Sequence, residues 1–119
     1  MRLAYAIEFV ADMDRAVKFY HEVLGLTLRF QSPGWSEFST GETSLALHPA
    51  SERNPAGSFE LGFNVTNVEN FYQEMSAKGV RFSVPPTKQD HGGTLAQFLD
   101  SEGSHCSVAE QASDSASQR

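Results

Sequence analysis

Cysteine is nearly absent from this 119-residue chain, where Cys106 stands alone. A single thiol can form no disulfide within the chain and cannot supply the thiolates of a structural zinc cluster. Positive charge is also scarce, nine Lys and Arg against fifteen Asp and Glu, for a formal charge of −6. That balance works against a phosphate backbone, so nucleic acid is not an expected partner. No apolar run approaches the roughly 18 residues a membrane helix needs. The opening MRLAYAIEFV meets Glu8 before any leader-like stretch develops. The expectation is a cytoplasmic protein with no membrane partner.

What is present fits one globular domain. Hydrophobic residues make up 39% of the chain, with nine Phe, three Tyr and one Trp, enough to build a real core at this length. Leu3 to Val10 reads as a strand, and Asp12 or Asp14 then caps a helix that carries Val17, Phe19, Tyr20, Val23 and Leu24 and stops at Gly25. Three short strands follow, 26–30, 35–39 and 44–48, separated by SPG and TGE turns. The order is βαβββ.

The segment ASERNPAG, 50–57, is rich in turn formers and reads as a linker. Beyond it the order repeats: a strand over 59–65, N-cap Asn67, a helix through Lys78, a stop at Gly79, then strands over 80–84, 94–99 and 104–109, with Pro85-Pro86 as a break. Val10-x-Asp12 can be laid on Val65-x-Asn67, Gly25 on Gly79, and Phe38 on Phe98. A period near 55 residues is far longer than a solenoid unit, so it reads as a duplicated half-domain. The expected organisation is one domain over 1–109, with half-modules 1–49 and 58–109, and a disordered tail over 110–119 that has no large apolar residue.

RLAYAIEFVADMDRAVKFYHEVLGL resembles the opening of proteins in the vicinal oxygen chelate superfamily, which holds glyoxalase I, bleomycin-resistance proteins and extradiol dioxygenases. ELGFNVTNVENFYQEMSAKGV and FLDSEGSHCSV resemble the start and end of that family's second half. The resemblance implies an α+β fold in which two βαβββ modules form a cupped mixed sheet, helices outside and a cavity inside. It also implies a homodimer, and both association and edge protection suit short modules with open sheet edges.

The family's metal ligands come from the first and last strand of each half. Carried over one at a time, those positions fall on Tyr5, Ala46, Glu60 and Ser107, of which only Glu60 is an ordinary ligand. The expected reading is therefore no metal and no other cofactor. An alternative is a displaced site: His48 and His105 lie two residues from the empty positions, on the same strand faces, and with Glu60 would make two histidines and a carboxylate. Against it stands the displacement, roughly 6.6 Å along a strand.

By alternation the cup face carries Tyr5, Ile7 and Phe9, then Ala46 and His48, then Glu60, Gly62 and Asn64, then His105 and Ser107. Trp35 and Glu37, or else Ser36 and Phe38, add to it. Phe59, Leu61, Phe63 and Val65 share the opposite face of their strand and are expected in the core. An aromatic wall with a few polar groups suits a small-molecule ligand. Two functions of different class follow. One is metal-free binding of an aromatic or amphipathic molecule through Tyr5, Ile7, Phe9, Trp35, Asn64, His105 and Ser107, with Glu60 pairing a cationic or hydroxylated group. The other is an enzyme, by the displaced metal or by Glu60 and His48 as catalytic acid and base. Glu8 sits on the helix-facing side of its strand and needs a partner, for which Lys18, Arg15 or a dimer contact is available. His91, in DHGG, is placed either on a lid or on a plain glycine-rich connection.

Overall fold

A computed structural model describes residues 1–90 and 92–110; His91 and the segment 111–119, with the expectations placed on them, lie outside the described residues. The chain separates into two compact units, Leu3–Leu61 and a second that begins at Gly62 and includes Met1–Arg2. The boundary falls inside a strand rather than in the 50–57 linker. The reason is a set of backbone bonds that tie that linker to the first strand: Ala50 N–H to Val10 O (2.8 Å), Gly57 N–H to Phe9 O (2.8 Å) and Phe9 N–H to Ser58 O (2.9 Å).

In the first module, β1 (Arg2–Val10) is followed by α1 (Met13–Lys18), β2 (Thr27–Phe30), β3 (Ser36–Ser39) and β4 (Ser44–Pro49). The spatial order is β2-β3-β4-β1. β1 runs parallel to β4, Tyr5 beside Ser44 through Val10 beside Pro49, while β3 is antiparallel to both β2 and β4. The sheet is therefore mixed and the class α+β. Asp12 caps α1, its Oδ1 accepting the Arg15 N–H at 3.0 Å and so satisfying one of the helix's free donors. The helix does not stay α to its end. Phe19–Val23 widens into a π turn in which Leu24 N–H reaches Phe19 O, five residues back, at 3.0 Å. Gly25, at φ +81°, supplies the left-handed residue that ends it.

The helix side of this sheet packs Val10, Val17, Phe38 and Leu47, joined by Tyr20, Leu28 and Leu45. Glu8 finds its partner there in Tyr20, whose hydroxyl donates to Glu8 Oε1 at 2.6 Å. The partner is thus neither Lys18 nor Arg15 but a residue of the π turn twelve positions on. Burial, then the hydrogen bond to Glu8, then the carboxylate's charge push the Tyr20 phenol up to about 12.

The second module contains β5 (Phe59–Val65), α2 (Val68–Ala77), β6 (Phe82–Lys88), β7 (Thr94–Leu99) and β8 (His105–Glu110), in the order β5-β8-β7-β6. Asn67 caps α2 through Oδ1 to the Asn70 N–H at 2.9 Å, and Glu110 Oε2 accepts the Val68 N–H at 3.2 Å. Glu110 thus belongs to β8 and holds a helix end. Val65, Val68, Ala96 and Val108 form the core, with Phe63, Phe71, Phe82 and Phe98 against it.

Two expectations change. β6 runs straight through Pro85 and Pro86 instead of breaking there. It is the outermost strand, where a missing N–H faces no neighbour, and its register slips between Val84 and Thr87 to seat the prolines. On β5, Phe63 and Val65 do enter the core, but Phe59 and Leu61 are 56% and 42% exposed. The apolar stripe is covered only along the part that α2 and its neighbours reach. Among the described residues no helix is long and apolar enough to cross a membrane.

Candidate functional site

The first module presents a second apolar surface on the sheet face opposite α1. The alternation that sends Phe38, Leu45 and Leu47 under the helix sends Glu37 and Ala46 the other way. There Ile7, Phe9 and Ala46 are buried together, with Tyr5, Trp35 and Ala50 packed against them. Of the two candidate pairs at the start of β3, Trp35, just before the strand, and Glu37 therefore occupy this face, while Ser36 and Phe38 are fully buried on the other.

The rings meet edge to face. Tyr5 and Trp35 centroids lie 5.7 Å apart at 77°, Phe9 and His48 5.5 Å apart at 68°, and Trp35 and His48 6.4 Å apart at 81°. Such offsets match the ring quadrupoles and favour contact. His48 is exposed at the rim, and its Nδ1 lies 2.9 Å from the carbonyl of Pro49. Its Nδ1 is thus engaged with the backbone.

Glu60 is 9% exposed. Because Phe63 and Val65 pack beside α2, alternation puts Glu60, Gly62 and Asn64 on the other face of β5. A carboxylate so far removed from water is held by partners, and Glu60 has them. In the second module Asn64, His105 and Ser107 are each partly buried.

Sequence reasoning left one constellation unread. The Trp35 indole N–H donates to Glu37 Oε1 at 3.0 Å, and Arg29 Nη1 stands 3.7 Å from Glu37 Oε2. The available signal was weak: Trp35-x-Glu37 at the entry to one strand, with Arg29 on the neighbouring one.

The family's metal finds no matching donor set. Ala46 is 0% exposed and packs its methyl between Ile7 and Phe9, and Tyr5 is engaged with Trp35. Among the described residues no three of His, Cys, Asp and Glu are grouped to hold an ion. A separate open groove of about 520 Å³ lies in the second module, lined by Lys78, Val80, Arg81, Phe98 and Asp100 among others. Asp100 Oδ1 is committed to the amides of Glu102 and Ser104, both at 2.9 Å. With no histidine in that lining and its aspartate already holding a turn, the aromatic face of the first module is the stronger candidate.

Comparison with known proteins agrees with this architecture. The chain is 28% identical to the uncharacterized protein YurT of Bacillus subtilis (strain 168) over 93% of its own length and 100% of that protein's. It is 26% identical to a bleomycin resistance protein of Klebsiella pneumoniae, covering 77% of this chain and 79% of that one. Methylmalonyl-CoA epimerase from Mycobacterium tuberculosis shares the fold at a TM-score of 0.69 and 18% identity, covering 98% of this chain and 91% of the other. A sequence profile matches residues 2–106, and with two βαβββ modules in sequence the chain belongs to the Glyoxalase/Bleomycin resistance protein/Dioxygenase superfamily.

Proposed function

We propose that this is a small-molecule-binding protein of the glyoxalase and bleomycin-resistance type, which takes an aromatic or amphipathic ligand on the aromatic face of its first module. The observation that carries the reading is that face itself: Tyr5, Ile7, Phe9 and Trp35 gathered on the helix-free side of one sheet, with His48 at the rim. Apolar walls with few polar groups are the usual make-up of such sites. Glu60, a nearly buried carboxylate, is the group that pairs with a cationic or hydroxylated part of the ligand. Asn64, His105 and Ser107, polar and partly buried, remain candidate ligand-binding residues from the sequence. Similarity to a protein named for bleomycin resistance supports the small-molecule reading.

A thermal-shift screen against small aromatic amines, alcohols and acids tests the proposal. Ligands are expected to raise the melting temperature of the parent, and Glu60→Gln is expected to weaken the best of them by about tenfold while leaving the fold intact, the loss of one charge-assisted contact. Elemental analysis after growth in metal-supplemented medium is run beside it. One equivalent of a divalent metal, lost in both Glu60→Gln and His48→Ala, would overturn the metal-free reading and favour the enzyme alternative.

A further inference from the structure

We infer that Arg29 and Glu37 are positioning residues which lock the Trp35 indole into a fixed platform for a planar aromatic ring of the ligand. The inference rests on the small-molecule reading of this face and adds the shape it selects. Trp35 is tied at both ends. Its backbone N–H bonds Ser32 Oγ at 3.1 Å, and its carbonyl accepts the same hydroxyl at 2.8 Å, which fixes where the side chain leaves the chain. Its indole N–H bonds Glu37 Oε1 at 3.0 Å, which fixes how the ring plane is turned.

Glu37 is in turn held. It lies between Ala46 and Phe30 in the ladder, a methyl on one side and a ring on the other, and its side chain is 18% exposed. Arg29, on the next strand, stands against its second oxygen at 3.7 Å. The carboxylate is thereby balanced by a cation, so the platform itself carries little net charge. Charge selection is left to Glu60, and the indole selects flatness.

The ring neighbours leave the platform usable. Tyr5 and His48 both stand nearly perpendicular to the indole, at 77° and 81°, and among the described residues no ring is stacked parallel on it. A ligand ring can therefore supply the missing stacked partner. A ring that need not be reoriented on binding loses less freedom when it binds, which is how a pre-set platform raises affinity.

Trp35 is the one tryptophan in the chain, so its signals report on this site alone. The test compares the parent with Glu37→Ala, Glu37→Gln and Arg29→Met, each verified as folded by circular dichroism. Without ligand, the indole N–H resonance and acrylamide quenching of fluorescence are read. Glu37→Ala is expected to shift the resonance and raise quenching severalfold, Arg29→Met to do so less, and Glu37→Gln, whose amide oxygen still accepts the N–H, to stay near the parent. Binding of benzylamine and cyclohexylmethylamine, equal in charge and in carbon count and different in flatness, is then measured by calorimetry. The parent is expected to prefer the flat amine by about tenfold, a stacking contribution of ordinary size. Glu37→Ala should lose that preference and Glu37→Gln should keep it. An indole signal unmoved in Glu37→Ala, or a preference that survives there, overturns the positioning role. Amines that bind the parent without regard to flatness overturn the platform but leave the small-molecule reading standing. A parent that binds neither amine nor any compound of the wider screen overturns both.

Discussion

At the scale of single residues, the Tyr20 hydroxyl controls how the first module meets alkali. It donates to Glu8 at 2.6 Å, and losing its proton would leave two negative charges facing each other in a half-buried site. The phenol is accordingly held at about 12, above the ~10 of an unfolded tyrosine. A group whose folded pKa is raised stabilises the fold fully below its unfolded pKa, and that contribution is lost as the pH climbs from ~10 through the folded value. Tyr20→Phe removes this dependence and leaves Glu8 without its donor. It is expected to lower stability by about 1–2 kcal/mol at pH 7 and to show a shallower loss of stability between pH 10 and 12 than the parent. Urea unfolding of both proteins across that range measures the difference. Equal alkaline slopes would mean that the pair does not govern this limb.

At the scale of elements, the outermost strand β6 is protected by its prolines. Pro85 and Pro86 lie within Phe82–Lys88 and carry no N–H to offer another chain, and the slipped register around them further spoils the edge as a template. Replacing both by Thr restores two donors and a good strand former. The double variant is expected to keep the parent's circular dichroism while its light scattering rises with concentration and time. A variant that stays as dispersed as the parent would show that edge protection comes from elsewhere.

At the scale of the whole molecule, we propose that the exposed apolar residues of β5 are covered by a second copy of the chain. Phe59 and Leu61 are 56% and 42% exposed on one face of β5. A pair of large apolar side chains left in water on a regular strand is typical of a surface that another chain covers. Symmetric self-association is the commonest arrangement that covers such a patch. Multi-angle light scattering is expected to give twice the 13.1 kDa of one chain. Leu61→Lys is expected to shift the mass toward a single chain without unfolding it. A parent that runs as one chain at micromolar concentration would refute the homodimer.

The sequence by itself determined what depends on a few neighbouring residues. Asp12 and Asn67 announce helix starts because a cap bonds an N–H three positions away, and Gly25 and Gly79 announce ends because they alone take positive φ there at no cost. Period-two alternation likewise separated Tyr5, Ile7 and Phe9 from Val10, and the doubled βαβββ order was legible from these signals repeated. Only the tertiary structure decided matters that hang on which strand lies beside which. That β6 is an edge, and so tolerates two prolines, is a fact of strand order. That Glu8 is met by Tyr20 depends on a π turn that rotates the helix end over β1, and no local propensity specifies that turn. That Phe59 and Leu61 stay exposed while Phe63 and Val65 are covered depends on how far α2 reaches. That Glu37 joins Arg29 to Trp35 depends on β2 pairing with β3 across a bulge, which brings together residues the chain keeps apart.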